Sequence, residues 1–217
     1  MSTLLVARIK PDHLALIVPK SLQGVLEQHL DKYLRFSRSK LTASKYQVTS
    51  RAQRIGNAFS VVHSDSGVVI QHPSEKICWV LSEDQPTLPD EFIEHDIQAG
   101  LVWLTPSTSE SFLPQVLGLE HHGGISYNKG CYLGQEVIAR VHFLGKPKQK
   151  LAIVHFGDII PEQTVSLKDE GGKSHGSLTI VNQHQALAII STSAPTKLFV
   201  DGTNIEAAWS FINEPKL

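Results

Sequence analysis

The apolar residues of this chain come in runs of no more than five, and the longest runs are closed by proline or serine. Leu14 to Val18, Ile77 to Leu81 and Ala186 to Ile190 are the longest. Runs this short make strands rather than bilayer spans, which need about 20 apolar residues. The punctuation is specific. Lys10-Pro11-Asp12-His13 separates Leu4–Ile9 from Leu14–Val18, and proline followed by aspartate presets a turn, so the pair reads as a hairpin. One long helical stripe follows. Leu22, Val25, Leu26, His29, Leu30, Tyr33 and Leu34 repeat at three- and four-residue steps, with Ser21 in the N-cap position, and the stripe is expected to face a core.

Further on, Tyr46–Val48, Phe59–Val62, Val68–Ile70 and Ile77–Leu81 read as strands, with Ser64-Asp65-Ser66-Gly67 and His72-Pro73-Ser74 between them. Pro89–Ala99 reads as a second helix capped by Gly100. Residues 101–130 are loop-rich, and a helix is expected between Cys131 and Phe143. Leu151–Val154, Leu178–Val181, Ala186–Ile190 and Leu198–Val200 are strands at a spacing that suits a small barrel or sandwich. The fold class is therefore α+β. Breaks at Glu83–Pro86 and Gly145–Lys148 divide the chain into 1–86, 87–146 and 147–217.

Charge narrows the function classes. Twenty Lys and Arg against 21 Asp and Glu give a net charge of −1, which excludes a chain that coats nucleic acid by bulk charge and leaves room for a local basic patch. The two cysteines, Cys78 and Cys131, form no disulfide framework, and Arg8, Lys10, Asp12 and His13 interrupt any signal-peptide core. The expected setting is a reducing, cytoplasmic one, without membrane association.

The stretch from Gly123 to Glu136 packs four glycines, a thiol, a lysine, two tyrosines and a carboxylate into 14 residues. Glycine density permits sharp turns or close approach to a ligand. A helix beginning near Gly134, together with Lys129, would stabilise a thiolate at Cys131. Glu136 and Arg140 stand one helical turn apart and can pair. A fixed carboxylate beside a thiol suits an N–H-rich heterocycle or a proton transfer. His121-His122 lacks a metal-site spacing, so no metal site is expected. Cys78, Trp79 and Trp103 read as packing residues, and Lys146, Lys148 and Lys150 as a solvated turn.

Lys129-Gly130-Cys131-Tyr132-Leu133-Gly134-Gln135-Glu136 resembles the K-G-C-[FY]-x-G-Q-E signature of the YgfZ-type folate-binding proteins, relatives of the aminomethyltransferase (T-protein) of glycine cleavage. Phe112–Gln115 resembles the family's F-x-P-Q, Gly123–Ser126 its G-G-[IV]-[SN], and Val137–Arg140 and Phe143–Lys146 its continuation. The resemblance implies a T-protein-like folate-binding core of ferredoxin-like subdomains with a C-terminal β-barrel. It implies tetrahydrofolate or a derivative as ligand. It implies a role in synthesis or repair of iron–sulfur clusters in client enzymes, including those that thiolate tRNA, with no direct DNA binding. Cys131 is then the functional thiol, with Lys129 and Glu136 beside it. Tyr132, Gln135, Glu136 and Arg140 would be ligand contacts, Gly130 and Gly134 the motif's backbone. Ile97-Gln98-Ala99-Gly100 matches the family's I-x-A-G, which puts Phe92 in the place of its preceding aromatic. An accessory factor is favoured over a one-carbon transferase, and a non-catalytic adaptor is the third reading. Members of the family carry a further segment ahead of the hairpin. The start at Met1 reads either as a truncated start or as a short form with an open cavity and weaker folate binding.

Overall fold

The computed structural model describes residues 2–64, 67–83, 91–132, 134–145, 147–157, 161, 165–203 and 205–212. The expected turn at Asp65-Ser66, the break at Asp84–Pro86 with the boundary at 86, Pro89, Leu133 of the signature, and Lys146 with the boundary at 146 lie outside them. The chain divides into two compact units, Met1–His95 with Trp103–Ser109, and Asp96–Val102 with Glu110–Leu217.

In the first unit, β1 (Leu5–Lys10) and β2 (His13–Ile17) form the expected hairpin, Leu5 opposite Ile17, with a register slip between Arg8 and Lys10. A 3-10 turn at Lys20–Leu22 leads into α1 (Gln23–Leu34). Two expectations are corrected here. Ser21 lies inside the 3-10 turn, and Leu22 occupies the N-cap with no side-chain cap bond. The apolar stripe is covered only in part: Leu22 is buried and Leu26, Leu30 and Leu34 are half-buried, but no residue of α1 itself is fully buried, and Val25 and Tyr33 are more than half exposed. Periodicity shows which side chains share a face, but not whether another element covers that face.

The sheet of the first unit is antiparallel, with β3 (Gln47–Arg51), β4 (Val61–Ser64), β5 (Gly67–Gln71) and β6 (Cys78–Ser82) in the order β3-β6-β5-β4. The two central strands are buried on both faces, which is why they read as unbroken apolar runs rather than alternating ones. Gln71 and Ser82 are the polar exceptions, and Gln71 is the deeper, at 0% exposure. The Gln71 Oε1 accepts from the backbone N–H of Ile55 at 2.6 Å, and its Nε2 donates to the Ile77 carbonyl at 2.8 Å. A satisfied buried amide ties two loops to the sheet at little net cost.

The second unit begins with the end of α2 (Glu91–Ala99). That helix stops in a Schellman motif: Leu101 N–H donates to the Asp96 carbonyl at 2.9 Å, and Gly100 N–H to that of Ile97 at 3.1 Å. A series of turns leads to α3 (Gln135–Leu144). Six strands follow: β7 (Gln149–His155), β8 (Ser166–Lys168), β9 (Ser174–Asn182), β10 (Gln185–Ser191), β11 (Leu198–Val200) and β12 (Glu206–Phe211). They close as a barrel in the order β10-β7-β12-β11-β8-β9. Its core holds Ala152, Val154, Leu167, Leu178, Ala186, Ala188, Ile190, Leu198 and Val200, and closure leaves no free sheet edge. The fold is thus mixed α+β with a closed six-stranded barrel. Among the described residues no helix is long and apolar enough to cross a membrane.

Candidate functional site

The signature loop is shaped by its glycine and its glutamine. Gly134 sits at φ 88°, ψ −3°, in the left-handed region where a side chain is strained. Gln135 N–H donates to the Tyr132 carbonyl at 3.3 Å, and the Gln135 Oε1 accepts from Tyr132 N–H at 3.1 Å. The two bonds latch the turn and start α3 at Gln135, with Gly134 as its N-cap. Gln135 therefore holds the loop's shape. Lys129 Nζ stands 4.5 Å from the centroid of the Tyr132 ring, a cation–π contact between residues on either side of Cys131 in the chain. Between them Cys131 is exposed. Gly130 has open space where a side chain would stand. Glu136 and Arg140 are exposed, and they form no ion pair with each other among the described residues.

A second cluster joins the segments on either side of the loop. His142 Nδ1 lies 2.8 Å from Glu120 Oε1, the imidazole donating. The Tyr127 ring stacks on that imidazole at 3.8 Å and 20°, and Phe143 meets the imidazole edge-on at 4.7 Å. Gln115, the last residue of the F-x-P-Q segment, donates from Nε2 to the Ile138 carbonyl at 2.6 Å and so ties that segment to α3. The Gln115 Oε1 and the Tyr127 hydroxyl are both buried, and the Gln115 Oε1 completes no hydrogen bond. Burial, together with the Glu120 carboxylate, pushes the Tyr127 phenol above its ordinary value. A cleft of about 290 Å³ opens here, lined among others by Gln115, Glu120, His121, His122, His142 and Lys150. Sequence reasoning missed this cluster. Tyr127 and His142 are too far apart in the chain for any local spacing to pair them.

Phe92 belongs to the first unit and is 8% exposed. Its ring packs 6.1 Å from Trp79 and 6.0 Å from His72. Trp103 meets Trp79 edge-on at 6.5 Å, so the tryptophans pack as expected. Lys148 is exposed, while Lys150 Nζ stands 5.4 Å from the Phe211 ring centroid. Among the described residues no group of three or more His, Cys, Asp or Glu side chains is arranged to hold a metal ion.

The two thiols have opposite settings. Cys78 is fully buried in β6, its Sγ 3.6 Å from the Arg51 carbonyl, and burial pushes its thiol up. A thiol-specific dye is therefore expected to label one cysteine of the folded chain promptly and both in denaturant. Peptide mapping should place the prompt label on Cys131, and prompt labelling of Cys78 would contradict the packing of the sheet.

No protein-family model matches the chain. It is similar to curated proteins named tRNA-modifying protein YgfZ. That of Pectobacterium carotovorum is 30% identical over 166 residues, covering 63% of this chain and 50% of that protein. That of Blochmanniella pennsylvanica is 36% identical over 92 residues, 41% of this chain and 28% of that protein. That of Colwellia psychrerythraea is 50% identical over 56 residues, 26% and 17% respectively. The chain thus spans half or less of the length of these relatives, and they support the YgfZ family for it.

Proposed function

We propose that this chain is a folate-binding accessory factor that serves tRNA modification by supporting synthesis or repair of iron–sulfur clusters in client enzymes, with Cys131 as the working thiol. The observation that carries the reading is the geometry of the signature loop. An exposed thiol sits in a loop whose neighbouring residues are tied by a latched turn and a cation–π contact, whereas the other cysteine is sealed in a sheet. A thiol fixed at the surface can meet a partner's cluster or sulfur, which a buried one cannot. The similarity to tRNA-modifying proteins supports the tRNA side of the proposal. The mixed α+β units with a closed barrel are compatible with a T-protein-like folate-binding core.

The cleft of the second unit supports folate as the ligand in part. At about 290 Å³ it stands at the lower limit of small-molecule sites, with room for a pterin ring. Its buried, unpartnered Gln115 Oε1 is an acceptor suited to a pterin N–H. Glu120, held by His142, presents a second acceptor at the wall. When bound, tetrahydrofolate supplies a reduced pterin and an amine that carries one-carbon groups. Gln115 and Glu120 would orient the ring, and the Tyr127–His142 stack would keep water from that wall.

Calorimetric titration of the chain with tetrahydrofolate tests the folate reading. Saturable binding is expected, and Gln115→Met should weaken it roughly five- to tenfold, the worth of one hydrogen bond. Absence of saturable heat would overturn the folate reading of this chain.

A further inference from the structure

We infer that the first unit carries a binding surface for single-stranded RNA, formed by the exposed run from the end of α1 to β3. The inference goes beyond the proposed function and does not rest on folate binding or on Cys131. Residues 32–64 hold Lys32, Arg35, Arg38, Lys40, Lys45, Arg51 and Arg54 and not one Asp or Glu, in a chain whose net charge is −1. Arg35 pairs with Asp31 at 2.5 Å, and Arg54 with Glu75 at 2.7 Å. The other five are exposed and form no ion pair among the described residues. Cations this close in sequence, with no anion interspersed, add their fields within a Debye length of about 10 Å and attract a polyanion.

Three aromatic residues accompany the charge, each directly after a cation: Lys32-Tyr33, Arg35-Phe36 and Lys45-Tyr46. Tyr33 is 54% exposed, Phe36 94% and Tyr46 42%. Lys32 Nζ stands 4.9 Å from the Tyr33 ring centroid, so cation and ring already face one ligand position together. Phe36, exposed over nearly its whole surface, contributes nothing to the fold, and with the partly exposed rings of Tyr33 and Tyr46 among these cations it makes a stacking platform. Between α1 and β3 the chain forms neither helix nor strand, and from Arg35 to Tyr46 every residue except Leu41 is exposed. Ser39 and Thr42 add hydroxyls suited to phosphate or the ribose 2′-OH. Double-stranded nucleic acid hides its base faces, and a membrane surface calls for a contiguous apolar face, which Ser37, Ser39, Thr42 and Ser44 interrupt. Single-stranded RNA uses both the charges and the rings.

The test is fluorescence anisotropy of the full chain with a labelled, unstructured RNA of about 16 nucleotides, a length within the site sizes of single-strand binders. Saturable binding is expected, with a log–log salt slope of about −2 to −3.5, as three to five phosphate contacts require. The variant Arg38→Gln, Lys40→Gln, Lys45→Gln should lose most of it. Phe36→Ala and Tyr46→Ala should each weaken it at least about fivefold, with unchanged circular dichroism because the side chains are exposed. Three results would each overturn the inference. One is no binding at about 50 mM salt. Another is heparin binding as tight as RNA, with the aromatic variants unaffected, which would mean bare polyanion attraction. The third is binding to phosphatidylserine vesicles without binding to RNA.

Discussion

Cys131→Ala is expected to reduce the thiolated-nucleoside content of tRNA, in cells that depend on this chain, to the level of cells that lack it. The protein itself should still fold. The thiol is exposed, so its removal opens no cavity, and exposed substitutions of this kind change stability by about 0.5 kcal/mol or less. The melting temperature should therefore move by no more than about 2 °C. The turn that holds the loop is made by Gly134, Gln135 and the backbone of Tyr132, none of which the substitution touches. Cys78→Ala is the informative contrast. It removes a fully buried sulfur from the centre of the sheet and should cost about 1–2 kcal/mol, yet thiolation should persist wherever the chain folds. Full thiolation with Cys131→Ala would end the working-thiol reading. Equal loss with both variants would mean that the cellular readout reports folding.

The sequence was legible where local chemistry decides structure. Pro11-Asp12 dictated the first hairpin, and the unbroken apolar runs at Val68–Ile70 and Ile77–Leu81 marked the central strands. Four barrel strands showed as apolar runs, but β8 and β12 did not. β8 has three residues with only Leu167 buried, and β12 buries only Ala207 among Glu206, Ala208, Trp209, Ser210 and Phe211. Such strands are held by closure of the barrel, which is a tertiary fact. α1 shows the opposite failure, a clean helical stripe of which no residue within the helix is fully buried. At the site, the glycine-rich signature pointed to the exposed thiol. Gln135, expected as a ligand contact, also serves as the latch of the loop, because its side chain is the nearest acceptor for a backbone N–H left free by the turn. The Glu120–His142–Tyr127 cluster left no trace in the sequence, since it arises only when α3 folds back over the turns that precede it.

The largest loss of stability is expected from a small change in the first unit, Gly67→Ala. Gly67 opens β5 at φ 130°, a conformation that a side chain resists. A Cβ built there would stand 2.2 Å from the carbonyl oxygen of Leu81 in β6, where real Cβ atoms are not found. The obstacle is backbone, so no rotamer change relieves it. Relief requires β5 and β6 to part, and these are the two strands that are buried on both faces. Conformational strain and overpacking each cost about 1–3 kcal/mol, so together about 3 kcal/mol or more is expected. That corresponds to a fall in melting temperature of roughly 6–12 °C. Trp79 lies in β6 beside the disturbance, at 2% exposure, so its fluorescence should report the transition. Gly123→Ala separates the two causes. Gly123 has a positive φ of 67° but open space around the added Cβ, so strain alone acts there, at about 1–2 kcal/mol. Equal losses at both positions would show that the β5–β6 contact tolerates a methyl group, and the close approach of these strands would then contribute nothing to the requirement for glycine.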